Sequence, residues 1–540
     1  MSRKPFSKLL LLSMALMLGT SIMTLPTHAD AAAKKQQSKR ASAANVDIPE
    51  ETPYVKRQLR AAWVASVTNI DWPSKKGLSE EKQRQEFIKI LDESKEMGMN
   101  AVIVQIRPTS DSFYPSKYMP WSEYLTGTQG KSPGYDPLEF MIKEAHRRNL
   151  EFHAWFNPYR ISMKADLNAL VEDHPARKHP EWVVSYGGKL YYNPGIPEAK
   201  DFVIKAIMEA VEEYDIDAVH LDDYFYPYKV AGEEFQDEET YQRYGADEFA
   251  DKNDWRRNNI DTFVKELSEA IKKEKKHVKF GISPFAVWRN KAVDDSGSDT
   301  KAGQTTYDDL YADTRKWVRE EWVDYITPQI YWNFGFEPAA YEKVLDWWLD
   351  ETEGKDLHLY VGQAVYKINK NNEAWENPEE MPNQLKYNAT IDRVNGSMFF
   401  SAKDLRNNEL GFTDRLKEDL YKYPALVPAS PWIDDDEPKK PKLKEAEWEE
   451  DGIALEWEDH KQNDDTAYYV IYRFTGDKKG DLEDPANILT TVRKTGKTKQ
   501  SFVDETAEAG EVYTYVITSV SRLHNESDES NSITVKKDKQ

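Results

Sequence analysis

From residue 59 to about residue 425 the chain repeats one pattern. A short apolar run is followed by polar and aromatic residues, and then by a segment with helical periodicity. The apolar runs lie at 59–66 (LRAAWVAS), 100–108 (NAVIVQIRP), 150–158 (LEFHAWFNP), 217–227 (DAVHLDDYFYP), 278–287 (VKFGISPFAV), 324–332 (DYITPQIYW), 357–366 (LHLYVGQAVY) and 396–405 (GSMFFSAKDL). Most are rich in β-branched and aromatic residues, which predicts strands. Between the first two runs, Phe87, Ile88, Leu91 and Ser94 share one helical face that ends at Gly98, a C-cap residue. Leu138, Met141, Ile142 and Ala145 repeat that spacing, and Pro197 opens the next helix at a position proline favours. Helices are also predicted over 255–276, 306–321 and 339–351, with shorter ones near 383–394 and 413–421.

Strands that alternate with helices form a parallel sheet, because each crossover returns on the same side. Eight such units, with no dinucleotide-type glycine fingerprint after the first, predict an α/β chain built on a closed (β/α)₈ TIM barrel. An open doubly wound sheet would give the same helices and is the alternative.

The pattern changes after residue 427. The segment 428–441 is Pro-rich and charged, as a linker would be. Beyond it, GIALEWED, AYYVIYRF, NILTTVRK, QSFVDE, VYTYVITSVS and SITVKK are short alternating runs with no helical segment between them. About 100 residues of this kind predict a small all-β sandwich. The spacing of Trp457, Tyr469, Tyr472, Tyr513 and Tyr515 resembles a fibronectin type III module. The expected organisation is therefore a barrel over 54–427, a linker over 428–441 and a sandwich over 442–540.

The N-terminus adds a destination. Arg3, Lys4 and Lys8 precede an apolar stretch from Leu9 to Leu18, and Thr27-His28-Ala29 offers a small-x-Ala cleavage site. That order predicts a signal peptide over 1–29 and a secreted or cell-wall-associated protein. Residues 30–53 read as a flexible leader rich in Ala, Lys, Gln and Ser. No later stretch is apolar enough to predict a membrane span. The chain has no Cys, so no disulfide, thiolate nucleophile or thiolate metal site is available. A formal charge of −22 argues against nucleic acid as a partner. No cofactor fingerprint is present, and a monomer is the default expectation. The 16 Trp and 30 Tyr suit both a large core and the stacking of sugar rings.

In a barrel of this kind the chemistry sits at the C-terminal ends of the strands. Side chains alternate in and out along a strand. In the fourth run Val219 and Leu221 suit the helix side, so Ala218, His220 and Asp222 point inward, and Asp223 follows. Two carboxylates beside a His on a buried strand are costly as packing alone and need partners or a task. Other strand ends supply Gln105, Arg107 and Asp111; His153, Trp155 and Asn157; Gln329, Tyr331 and Asn333; and Asn69, Asp71 and Trp72. Trp121, Tyr159, Tyr226, Trp288 and Trp332 are the expected aromatic rim.

A polar pocket with an aromatic rim and paired carboxylates points to glycoside hydrolysis. One carboxyl protonates the leaving oxygen, and the other acts as nucleophile or activates water. Asp222 is the expected ionised partner. Asp223, Asp111, Asp71 and Glu337 compete for the role of acid. Arg107 would hold a carboxylate ionised, and His153 and His220 would bond sugar hydroxyls or orient the carboxylates.

The motifs RAAWVASVTNIDWP (60–73), VIVQIRPTSDSFYPSKYMPWSEYLTGTQG (102–130), EAHRRNLEFHAWFNPYR (144–160), YYNPGIPEAKDFV (191–203), DAVHLDDYFYP (217–227), KFGISPFAVWRN (279–290) and DYITPQIYWNFG (324–335) span essentially the whole barrel. Together they resemble the bacterial glycosyl-hydrolase-like family 10 proteins, which are distinct from the xylanases that carry the same number. The resemblance implies a (β/α)₈ barrel and hydrolysis of glycosidic bonds, with cell-wall glycans (peptidoglycan) a substrate class for some members. Carried over position by position, it implies Asp71, Arg107, Asp111, His153, Asn157, Asp222, Asp223, Gln329 and Tyr331 as site residues. Ser112 stands where a smaller residue such as Ala is expected. Two other functions remain open. One is a non-catalytic polysaccharide-binding barrel, since no obvious Glu follows the fifth and sixth strands, where many barrel glycosidases place one. The other is a metal-dependent hydrolase using His153, His220, Asp222 and Asp223. No compact metal-ligand motif is present, and no metal is expected.

Overall fold

Eight strands pair in parallel, each with its sequence neighbours and the last with the first: β1 (Leu59–Val64), β2 (Ala101–Arg107), β3 (Glu151–Phe156), β4 (Ala218–Leu221), β5 (Lys279–Ile282), β6 (Tyr325–Ile326), β7 (His358–Gln363) and β8 (Val394–Phe399). The barrel is therefore closed, which rules out the open-sheet alternative. The computed structural model describes residues 46–370, 372–459 and 465–536. The expected signal peptide and most of the leader lie outside those residues. Helices Glu80–Glu96, Pro137–Arg147, Pro197–Glu213, Lys252–Glu274 and Tyr341–Glu351 run on the outside, close to their predicted bounds. In the first of them Ile90, not Ile88, joins Phe87, Leu91 and Ser94 on the buried face. Strand β8 begins at Val394, two residues earlier than its apolar run suggests. The segment after β3 adds a small antiparallel sheet (Arg160–Ser162, Val183–Tyr186 and Lys189–Tyr192) that the periodicity did not announce.

The inward parity is that predicted from sequence. Leu59, Ala61, Trp63, Ala65, Ala101, Ile103, Trp155, Ala218, Tyr325, Tyr360 and Met398 form one buried cluster inside the barrel. Val102, Val104, Phe152, Ala154, Val219 and Leu221 belong to the larger core between strands and helices. Tyr325 fills the middle of the barrel, and its ring lies so close to Gly281 that a Cβ there would come within 2.0 Å of it. Its hydroxyl bridges His153 Nδ1 and His220 Nδ1, at 3.0 Å each.

At the C-terminus seven strands make two antiparallel sheets. These are β9 (Lys442–Trp448), β10 (Ile453–Glu458), β11 (Thr466–Thr475), β12 (Ile488–Arg493), β13 (Lys499–Asp504), β14 (Val512–Ser521) and β15 (Ile533–Lys536). The orders are β9-β10-β13 and β12-β11-β14-β15. Leu443, Leu455, Trp457, Tyr469, Tyr515 and Ile517 share the core between the sheets. The other face of the four-stranded sheet packs Tyr468, Val470, Tyr472 and Val520 with Leu426 at the base of the barrel. The segment expected as a linker is itself packed. Ser430 is fully buried, Ser430 N donates to Leu523 O at 3.1 Å, and Asn525 Nδ2 donates to Asp434 O at 2.7 Å.

Candidate active site

At the C-terminal mouth of the barrel lies a cleft of about 420 Å³. Its floor is inward side chains from the strand ends: Trp63, Gln105, Trp155, Asp222 and Ser283. Its walls come from the loops that follow, with Asp223, Tyr224, Tyr228, Gln329, Tyr331 and Trp332 prominent among them. Phe285 meets Trp332 edge-on at 5.6 Å, which gives one wall an aromatic surface. A volume of this size lies in the range of ligand pockets. Another cavity, of about 220 Å³, lies between the barrel base and the sandwich, at the opposite end from the strand-end polar groups.

Asp222 follows β4 directly, so the strand parity aims it at the barrel axis. Its carboxylate accepts from Trp155 Nε1 at 3.0 Å and from Asn157 Nδ2 at 3.1 Å. Asn157 is fixed in turn, because its Oδ1 accepts from Arg160 N at 3.1 Å. Burial pushes the Asp222 carboxyl up from its ordinary range, while Arg160, Trp155 and Asn157 oppose the shift. Asp223 accepts from the Tyr228 hydroxyl. Burial, reinforced by the neighbouring Asp222 carboxylate, pushes Asp223 up to about 7, against hydrogen bonds from Tyr228 and Gln329. Gln329 is held by its Nε2 donating to Ser283 O at 2.8 Å. Two adjacent carboxyls thus differ in environment, one surrounded by donors and a guanidinium, the other kept neutral to near pH 7. Such a split is how acid and base roles are assigned within one site.

The cleft gathers Asp222, Asp223, Gln329, Tyr331 and Trp332 from the expected set, and Gln105 and Trp155 with them. Asn157 stands behind Asp222 as its donor. His153 and His220 point inward but lie a layer deeper. His153 Nε2 is bonded to Glu151 Oε2 at 3.0 Å, and His220 Nε2 lies 3.0 Å from Ser283 Oγ. Burial holds His220 well below its usual pKa, so it is neutral. These histidines do not join Asp222 and Asp223 in a compact ligand set. Among the described residues the one group of three that could share an ion is Asp434, Asp435 and Asp436.

The other expected residues lie outside the cleft. Arg107 turns away because β2 shifts register between Gln105 and Arg107. Gln105 pairs with Trp155, yet Arg107 pairs with Phe156, which faces the helices. Its guanidinium instead donates to Asn157 O and Pro158 O at 3.1 and 2.9 Å. Asp111 is buried behind β2, where burial pushes it up to about 6 against bonds from Ser122 and Thr109. Asp71 clamps two loops, accepting from Ala65 N, Ser401 Oγ and Lys403 N at 2.7 Å each. Trp72 is fully buried and donates to Gln83 O at 2.8 Å. Asn69 Nδ2 donates to Pro73 O in its own loop and to Tyr124 O in the short helix after β2. Trp121 and Tyr159 pack against the outer core. Tyr226 packs on Phe235 and Tyr311. Trp288 stacks on Trp347 and donates to Asp313 Oδ1 at 3.0 Å. Asn333 is buried and donates to Phe334 O at 2.8 Å. Glu337 is exposed and paired with Lys301.

Sequence reasoning missed several lining residues. Tyr224 and Tyr228 were within reach, since both lie in the aromatic run after Asp223. Arg160 closes the NPYR segment at 157–160. Phe285, Tyr366, Lys367 and Phe400 sit on loops whose course the strand pattern does not fix.

Residues 58–377 match the model of the family described as "Glycosyl hydrolase-like 10". The chain belongs to the glycosyl hydrolase-like 10 family. It is 58% identical over 483 residues to the glycosyl hydrolase YngK of Bacillus subtilis, covering 88% of this chain and 93% of that protein. It is 38% identical over 374 residues to the glycosyl hydrolase DigH of Escherichia coli, covering 65% of this chain and 84% of that one. The enzyme class expected from the strand-end carboxylates agrees with the names of these relatives. The glycoside hydrolase domain of PgaB from Bordetella bronchiseptica superposes at a TM-score of 0.43 and 10% identity, over 67% of this chain and 98% of that domain. That likeness is too loose to bear on function.

Proposed function

We propose that this protein is a secreted enzyme that hydrolyses O-glycosidic bonds of a polysaccharide, with peptide-free glycan strands of peptidoglycan as its substrate. The observation that carries the reading is the Asp222–Asp223 pair in an aromatic cleft, with one carboxyl raised to about 7. Asp223, neutral until that pH, donates the proton to the leaving oxygen. Asp222, held by Trp155, Asn157 and Arg160, is the ionised partner that stabilises positive charge as the bond breaks.

Both carboxyls come from one strand end, and no other carboxylate lines the cleft among the described residues. This supports a route in which the sugar's own 2-acetamido oxygen attacks the anomeric carbon, as in substrate-assisted glycosidases. Asp222 would then orient the acetamide N–H. Peptidoglycan strands consist of 2-acetamido sugars, so the geometry and this substrate suit one another. The N-terminal pattern of residues 1–29 supports secretion. The three-plus-four strand order of the C-terminal sandwich supports a fibronectin type III-like module.

The test is to incubate the mature protein and its Asp222→Asn variant with a panel of polysaccharides that includes peptide-free peptidoglycan strands, and to read the products by mass spectrometry. Cleavage by the wild type alone is expected. Equal cleavage by both would remove Asp222 from the mechanism. Binding without cleavage by either would favour a non-catalytic polysaccharide-binding barrel.

A further inference from the structure

Four charged side chains line the cleft: Asp222, Asp223, Arg160 and Lys367. Three are accounted for by the chemistry above. Arg160 is buried, spends Nε and Nη2 on Pro108 O at 3.1 and 2.8 Å, and acts on Asp222. Lys367 is different. It ends a single 3₁₀ turn (Val365–Lys367) directly after β7, which stands four strands from β3 in a barrel of eight. It therefore enters the mouth from the side opposite Arg160.

The Lys367 ammonium is half-buried and donates to the backbone oxygen of Tyr331. It lies 5.9 Å from the centre of the Tyr366 ring. No carboxylate is within ion-pair distance of it among the described residues. Burial lowers its pKa, and no acidic group raises it again. An ammonium has three donors, and one is used. A partly desolvated cation without a counter-charge is unfavourable until an anion arrives. In a chain of net charge −22, a cation left unpaired inside the candidate active site has ligand recognition as its natural role. A single ammonium, with no guanidinium or helix N-terminus beside it, matches one negative charge such as a carboxylate.

We propose that Lys367 is a specificity-determining residue that binds a carboxylate carried by a sugar unit of the glycan, so that the cleft selects an acidic polysaccharide over a neutral one of the same linkage. The proposal rests on the glycosidase reading above and adds the charge of the substrate to it. Lys367 is not a catalytic residue, because the bond-breaking groups are on β4. Its substitution therefore acts on KM and leaves kcat largely intact.

The experiment compares two preparations of peptide-free peptidoglycan strands, one native, with a free lactyl carboxylate on every second sugar, and one with those carboxylates reduced to alcohols. The wild type is expected to show a KM about tenfold lower on the native strands, the size of one charge-assisted hydrogen bond. Lys367→Met is expected to raise KM on native strands by about that factor, leave reduced strands unchanged, and so erase the preference. Lys367→Arg keeps most of the preference. Calorimetric binding of both preparations to Asp223→Asn and to Asp223→Asn/Lys367→Met reads the same difference without turnover. Failure of cleavage alone therefore counts against the proposed hydrolysis and not against Lys367. Equal affinity of the parent protein for native and reduced strands would overturn the proposal. So would a Lys367→Met variant that weakens both equally, since that is the mark of a lysine that merely props the Tyr331 loop.

Discussion

Buried carboxylates sit at both ends of this barrel, and they live under opposite conditions. At the base, Glu151 accepts from Lys279 Nζ at 2.5 Å, His524 Nε2 at 2.8 Å and His153 Nε2 at 3.0 Å. Burial alone would raise its pKa, but Lys279 and His524 outweigh it and hold it well below the carboxylate range. Asp217 is treated likewise by His146 and by Arg522, which reaches it from the sandwich at 3.1 Å. At the mouth, Asp222 and Asp223 are equally buried, but among the described residues no Lys or Arg side chain pairs directly with either, and both are raised. The base therefore holds carboxylates with cations beside them, and the mouth holds carboxyls without an ion-pair partner among the described residues. Burial of a carboxylate does not by itself mark a functional site; burial without a counter-ion, facing a cleft, makes it a candidate.

The largest expected effect that would break this contrast is on activity at the mouth. Asp223→Asn should lower kcat/KM by about 10²–10⁴-fold, the span of a lost general acid, measured on whichever strands the wild type cleaves. Its stability should move the other way. A carboxyl whose folded pKa exceeds its unfolded value destabilises the fold increasingly as pH rises from about 4 to about 7. Asp223→Asn should therefore raise the melting temperature at pH 8.

At the base the expectation reverses. Glu151→Gln leaves Lys279 buried without its partner and should cost about 3–5 kcal/mol in denaturant unfolding, while the folded fraction keeps its turnover. The depressed pKa of Glu151 stabilises the fold above the unfolded value. That contribution is lost as pH falls below about 4.5, so the variant should show a shallower acid limb. Arg522→Ala, which removes the sandwich's hold on Asp217, should cost a smaller amount, about 1.5–3 kcal/mol, and speed proteolysis within 428–441. Glu337→Gln should be smallest, within about 0.5 kcal/mol and without effect on turnover, because Glu337 is exposed and its partner is a surface lysine.

The barrel was legible because period-two alternation survives in each strand core: the parity of Val219 and Leu221 against His220 and Asp222 is the parity of the folded chain. The alternation misleads where one residue breaks the period. The register shift after Gln105 turns Arg107 outward, and no residue type announces it. Strand β9 hid for a similar reason. Only Leu443 and Ala446 of its charged sequence are well buried, and a register shift between Leu443 and Glu445 spaces them three apart, so no alternating run marks the strand inside the expected sandwich. Asp71 and Asp111 look like site carboxylates in sequence because their loops follow strand ends. Only the fold shows that Asp71 is held by loop donors, that Asp111 is buried beside Ser122 and Thr109, and that neither lines the cleft. Lys367 gave no signal at all, since its importance lies in the absence of a neighbouring carboxylate in space.

Asp223, buried beside Asp222 without an ion-pair partner among the described residues, is the proposed proton donor. The most direct test is the pH dependence of kcat/KM on peptide-free strands between pH 4 and pH 9. A limb that falls as pH rises through about 7 is predicted, because the acid is lost as Asp223 ionises. Activity that stays level to pH 9 would contradict it.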